Sequence, residues 1–133
     1  MQTQLSIEHM GLAIDEVLSS LRRLRIEQVA YEYTIQDAVA RQFDKDRIPY
    51  SKEHKLGPRN RIDFLVPWGI GIEIKKGRPN SVQLQAQVER YCRFEAVKVL
   101  VLVIERHVAT HDAVVNGKPV HYIALNKLWG IAL

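Results

Sequence analysis

The chain has 133 residues, 47% of them apolar and 26% charged, with a formal net charge of +4; this is the size and balance of one globular domain with its own core. No apolar run approaches the roughly 20 residues of a membrane span, the opening MQTQLSIEHM lacks the basic-then-apolar pattern of a secretory leader, and the lone Cys92 excludes an internal disulfide and a cysteine zinc cluster. The expected location is the cytoplasm, and the mild positive charge is compatible with a polyanionic partner without requiring one.

In chain order, residues 12–30 carry Leu12, Val17, Leu18, Leu21, Leu24 and Ile26 at roughly helical spacing, with Arg22, Arg23 and Arg25 among them. Residues Tyr33 to Phe43 predict a second helix through Ile35, Val39 and Phe43, and Pro49 ends any helix before it. A short strand is expected over 50–56, followed by the turn signal Gly57-Pro58-Arg59. Residues 61–66 form a strand, Pro67-Trp68-Gly69 a turn, and the strictly alternating 70–75 a further strand. Gly77 and Pro79 break the chain, and Asn80 or Ser81 is the N-cap of a helix with Leu84, Val88, Tyr91 and Cys92 on one face. Residues 97–104 read as a strand buried on both sides. Asn116-Gly117 is a turn, followed by a strand near 120–124 and a short helix containing Trp129. The predicted order is α, α, β, β, β, α, β, β, α.

The chemistry concentrates in the hairpin around Trp68. With a three-residue loop Val66 pairs with Ile70, and Asp63 falls opposite Glu73. Side chains alternate between faces. Ile62, Phe64 and Val66, with Ile70, Ile72 and Ile74, then form an apolar face, while Asp63, Glu73 and Lys75 point the other way. Carboxylates on opposed residues have Cβ atoms about 5 Å apart and repel. A divalent cation compensates them naturally: Mg²⁺ takes one or two carboxylates and leaves positions for water and phosphate oxygens. Lys75, two residues beyond Glu73 on the same face, is placed to hold a water for in-line attack on a phosphodiester. If Gly57-Pro58-Arg59 is also a three-residue loop, Glu53 faces Asp63 from the other side.

Ile62-Asp63 followed by Glu73-Ile74-Lys75 resembles the PD-(D/E)xK nuclease superfamily, with Gln87 and Tyr91 similar to the Q-xxx-Y element of its RecB-like members. The resemblance covers about residues 32–105. It implies an α/β, restriction-endonuclease-like core (α-β-β-β-α-β) with a mixed central sheet, here preceded by an N-terminal helical extension over 1–30 and followed by a C-terminal strand and helix over 106–133, all within one nuclease domain. It further implies an Mg²⁺- or Mn²⁺-dependent phosphodiester hydrolase. Asp63, Glu73 and the Ile74 carbonyl would be metal ligands, Lys75 would position water, and no organic cofactor is expected. The proline of the family name is Ile62 here, which removes no ligand. For an additional acid Glu53 has the better strand geometry, and Glu32 on the preceding helix is the alternative.

Around this constellation Arg59, Asn60, Arg61, Lys76 and Arg78 are candidates for phosphate contacts, which position DNA without reading its sequence. Gln87 is a candidate for orienting the lysine or a phosphate. Tyr91 reads as core packing with a satisfied hydroxyl. Arg22, Arg23 and Arg25 read as the wet face of a helix ahead of a DNA contact, and the leucines around them as either intramolecular core or a dimer seam. His107 and His111, with Asp112, have a metal-like spacing but lie where a helix is not expected. Trp68 either stacks on a base or caps the core. The expected function is a DNA endonuclease selective for DNA structure, either a homodimeric Holliday junction resolvase acting on branched DNA or a phage-type RecB-like nuclease working on ends or single strands. A non-catalytic DNA-binding protein that kept the fold, and an interaction subunit docking through its N-terminal helices, are the alternatives from other classes.

Overall fold

The structure is a computed structural model that describes residues 4–29, 31–109 and 112–130, with side chains described for residue 11 and within these ranges from residue 13 onward; the Leu12 side chain and His111 lie outside what is described. Its elements are α1 (Gln4–Arg22), α2 (Glu32–Lys45), β1 (Ser51–Gly57), β2 (Asn60–Val66), β3 (Ile70–Lys75), α3 (Ser81–Tyr91), β4 (Val99–Ile104), β5 (Val114–Val115), β6 (Lys118–Ala124) and α4 (Leu125–Leu128). The strands make one mixed sheet in the order β1-β2-β3-β4-β6-β5. β1, β2 and β3 run antiparallel, β3, β4 and β6 run parallel, and β5 closes antiparallel on β6. No helix among the described residues is long and apolar enough to cross a membrane.

The sheet is covered on both faces, and β4 shows why. All six of its residues, Val-Leu-Val-Leu-Val-Ile, are buried, and successive side chains enter opposite layers. Val101 and Val103 join the core under α1 and α2, with Val17, Leu21, Ile35, Val39 and Phe43. Leu100, Leu102 and Ile104 join the core under α3, with Leu84, Val88, Tyr91 and Cys92. The helices carry matching stripes: Ile35, Ala38, Val39 and Phe43 on α2 recur at the three-to-four-residue period of a buried helical face.

Turn chemistry fixes the register. Trp68 and Gly69 both adopt left-handed backbone (φ 78° and 82°), so Val66 pairs with Ile70 across the three-residue loop. Gly69 is required there twice over, because a Cβ would stand 2.8 Å from the Ala96 carbonyl oxygen. The α3 N-cap is Asn80, whose side chain accepts the Val82 and Gln83 N–H groups. Asn116 and Gly117 (φ 52° and 76°) form the two-residue hairpin loop of β5 and β6. β5 itself was not anticipated; two residues are too few to carry a periodic signal.

Three expectations are corrected. The first helix ends at Arg22 rather than near residue 30. Arg23 turns aside to pair with Asp46 at 2.8 Å, and the Arg25 guanidinium donates to the Leu24 and Arg22 carbonyls at the helix end. Leu24 is nevertheless buried, and Trp129 Nε1 donates to its carbonyl. Next, Val17, Leu18, Leu21 and Leu24 are buried within the chain itself, so these leucines are intramolecular core and not a dimer seam. Finally, the β1–β2 loop has two residues, Pro58 and Arg59, because Gly57 pairs with Asn60; a register shift between Lys55 and Gly57 absorbs the difference.

Candidate active site

The β2–β3 ladder is regular from the turn only as far as Phe64 and Ile72. Beyond that rung the carboxylates take over. The Asp63 N–H donates to Glu73 Oε1 at 3.2 Å, and the Ile74 N–H donates to Asp63 Oδ2 at 2.8 Å. Each acid thus satisfies a backbone group of the opposite strand, and the two strands part around them.

The parting breaks the expected parity. Phe64 lies in the core under α1 and α2, yet Ile62, two residues earlier on the same strand, lies in the core under α3. Ile62 belongs to the opposite face from the one expected. The residue that makes room is Gly71: a Cβ there would stand 2.6 Å from Ile62 Cδ1. Asp63 sits at the crossover between the two faces.

Helices from both layers reach the acids. From α2, Gln36 Nε2 donates to Asp63 Oδ1 at 3.1 Å. From α3, Gln87 Nε2 donates to Glu73 Oε2 and to the Tyr91 hydroxyl, both at 3.1 Å. The Tyr91 hydroxyl also lies 3.1 Å from the Arg61 carbonyl and 3.3 Å from Glu73 Oε2, and its single proton serves one of them at a time. Lys75 Nζ stands 3.5 Å from Glu73 Oε2. Asp63, Glu73, Lys75 and Gln87 are therefore brought together as expected. Tyr91 is more than core packing, since its hydroxyl reaches Glu73. Gln36 was not anticipated at all.

The electrostatics follow from burial and proximity. Glu73 is 6% exposed. Burial, then the neighbouring Asp63 charge, pushes its carboxyl up to about 7, while Lys75 pulls the other way. Asp63 is also held above the ordinary carboxylate range, chiefly by burial, with the charge of Glu32 adding to the effect. Glu32 lies at the first turn of α2, and its Oε1 accepts the Lys76 N–H at 3.3 Å. Glu53, preferred on strand geometry, sits at an irregular point of β1: it is exposed, it has left-handed backbone (φ 50°), and the rungs at Lys52 and His54 flank it without including it. Glu32 is an acid whose charge reaches Asp63.

The donor set fits a small hard cation. A buried and a half-buried carboxylate in hydrogen-bonding range of each other are costly to ionise together, and a divalent ion removes that cost. A backbone oxygen is also available. Lys75 turns its carbonyl toward the β4 side, where it accepts the Glu105 N–H, so the neighbouring Ile74 turns both its N–H and its carbonyl toward Asp63. Among the described residues no cluster of three or more His, Cys, Asp or Glu side chains forms a metal-binding group.

Arg59, Arg61, Lys76 and Arg78 are all exposed. Lys76 and Arg78 follow Lys75 directly, and Arg61 precedes Asp63 by two residues, whereas Arg59 stands at the β1–β2 turn. Asn60 is engaged by Arg90, whose Nε donates to its Oδ1 at 2.7 Å. Beside Lys75 and Gln87 lies an open hollow of about 460 Å³ that Asn80, Gln83 and Arg90 also line. Trp68 is at the far end of the hairpin, five residues or about 16 Å of strand from Glu73, where it borders a separate hollow with Pro49, Tyr50 and Leu65.

No family model, curated protein or solved structure matches the chain.

Proposed function

We propose that this protein is a metal-dependent deoxyribonuclease of the PD-(D/E)xK kind, cutting phosphodiester bonds at Asp63, Glu73 and Lys75. The observation that carries the reading is the parting of β2 and β3 at Asp63. It leaves the buried Glu73 and the half-buried Asp63 carboxylates side by side, each oriented by hydrogen bonds. The antiparallel β1–β2–β3 and parallel β3–β4–β6 pairings between α2 and α3 are also in keeping with a restriction-endonuclease-like core.

Asp63, Glu73 and the Ile74 carbonyl would hold Mg²⁺ or Mn²⁺, and the ion when bound supplies Lewis-acid activation of the phosphodiester and charge for the transition state. Gln36 fixes the rotamer of Asp63, and Gln87 with Tyr91 fixes that of Glu73, so the ligands are set before substrate arrives. Lys75, 3.5 Å from Glu73, orients the attacking water while opposing the negative charge that grows on the phosphate. Arg61, Lys76 and Arg78 supply exposed positive charge for flanking phosphates. These contacts are to backbone, so selectivity is assigned to DNA structure, as in branched DNA or strand ends, rather than to base sequence.

Cleavage of labelled single strands, duplexes, flaps and four-way junctions tests this, with Mg²⁺, Mn²⁺ or EDTA and a Glu73→Ala control. Metal-dependent cutting that the control loses supports the reading. Intact DNA under both metals with folded protein overturns it and leaves a DNA-binding role as the alternative.

A further inference from the structure

We infer that Tyr31 and Tyr33 form a stacking platform for an unpaired DNA base next to the cleaved phosphate, which makes single-stranded or frayed DNA the substrate. This rests on the nuclease reading for the identity of the reacting site, and on separate residues for the base.

The two rings stack on each other, with centroids 5.1 Å apart and planes within 9°. Both remain exposed, Tyr31 at 59% and Tyr33 at 57%. Aromatic rings usually offset that much apolar exposure by packing into a core. These two stand proud of the surface as a pair. A base has a π-face of the same kind, and adding it to an existing stack buries ring surface without requiring a particular sequence.

Their position links them to the acids. Glu32, between the two tyrosines in sequence, accepts the Lys76 N–H. One turn further along α2, about 6 Å of rise, Gln36 donates to Asp63. The platform therefore stands on the element that orients one acid, beside the strand end that carries Lys75. The local backbone is pinned as well: the Tyr31 N–H donates to the Thr34 hydroxyl at 3.2 Å, and the Thr34 N–H donates to the Tyr31 carbonyl at 3.0 Å. Lys76 and Arg78 are exposed on the same approach and meet the phosphates of a strand whose base rests on the rings. Bases inside a duplex are already stacked and cannot use the platform without unpairing. Trp68, an exposed aromatic at the tip of the β2–β3 hairpin, is too far along the strand from Glu73 to serve the same nucleotide.

The test is binding in EDTA of a fluorescein-labelled oligothymidylate, an abasic strand of equal length and a hairpin duplex, by anisotropy. The variants are Y31A/Y33A and Y31F/Y33F. Wild type is expected to bind the oligothymidylate about ten-fold tighter than the abasic strand. Y31A/Y33A should lose that difference with duplex binding unchanged, and Y31F/Y33F should keep it. Equal weakening for all three DNAs, or no weakening, overturns the platform. So does a concentration-dependent dimer that Y31A/Y33A dissociates, which would assign the rings to a second copy of the chain. Cleavage by wild type separates the two readings. Base-dependent binding without metal-dependent cutting would remove the nuclease and leave the platform; cutting with no base dependence would do the reverse.

Discussion

Asp63 and Glu73 are linked through the backbone of one and the side chain of the other: the Asp63 N–H donates to Glu73 Oε1 in place of the next rung of the β2–β3 ladder. The consequence is a buried acid whose charge is costly. Burial raises the Glu73 pKa from 4.5 to about 7, so between those values the folded chain holds a proton that the unfolded chain has released. The metal-free protein accordingly loses stability as pH rises through this window, and the loss is complete above about 7. Glu73→Gln removes the ionisation. It is expected to stabilise the metal-free fold by roughly 1–3 kcal/mol at pH 8 and by almost nothing below pH 4.5, read from urea unfolding at the two pH values.

Gln87 and Tyr91 act on Glu73 rather than on substrate. Gln87→Leu strips a donor from Glu73 Oε2 and from the tyrosine hydroxyl. Mn²⁺ affinity should fall about ten-fold or more by calorimetric titration. Tyr91→Phe leaves Gln87 in place, and is expected to cost about 1 kcal/mol of stability through the lost hydroxyl hydrogen bond, with a smaller effect on the ion. Equal effects of the two variants on affinity would show that the orientation of Glu73 does not depend on the glutamine.

Glu32 and Glu53 separate cleanly by experiment. Of the two, Glu32 is the one whose charge raises the Asp63 carboxyl. Glu32→Gln should lower metal-dependent cleavage about ten-fold, whereas Glu53→Gln, at an exposed irregular position of an edge strand, should stay within about two-fold. The reverse order would return the additional acid to β1.

Gly71 holds open the space that Ile62 fills. Gly71→Ala places a methyl 2.6 Å from Ile62 Cδ1, and a cost of about 1–3 kcal/mol is expected from overpacking. Ile62→Val removes the offending atom, so the double variant should recover about 1 kcal/mol or more relative to the sum of the single changes in denaturant unfolding. Additive costs would mean that the two side chains do not contend for the same space.

Much of this architecture was legible because local signals agree. The Pro67-Trp68-Gly69 turn, with alternation in Ile70–Lys75, fixes a register in which Val66 meets Ile70. The wholly apolar run of β4, valine alternating with leucine or isoleucine, identifies a strand buried on both faces. The departure at Ile62 was hidden because alternation assumes a continuous ladder, and the clue is a missing side chain at Gly71 on the partner strand. Gln36 was hidden for a different reason: it meets Asp63 across 27 residues of sequence, and only tertiary packing brings them together. The irregularity at Glu53 was hidden because a left-handed residue in the middle of an edge strand leaves no periodic trace, although the flanking rungs Lys52–Phe64 and His54–Ile62 keep the expected register.

The two acids are steered from opposite sides of the sheet, Asp63 by Gln36 on α2 and Glu73 by Gln87 and Tyr91 on α3. The spacing of the two carboxylates is therefore tied to the thickness of the sandwich. Volume lost beneath either helix, at Val39 in one layer or Val88 in the other, draws one clamp inward and alters the spacing of the carboxylates without touching either of them. On the proposed reading, the hydrophobic interior of this small protein would be part of the apparatus that holds the ion.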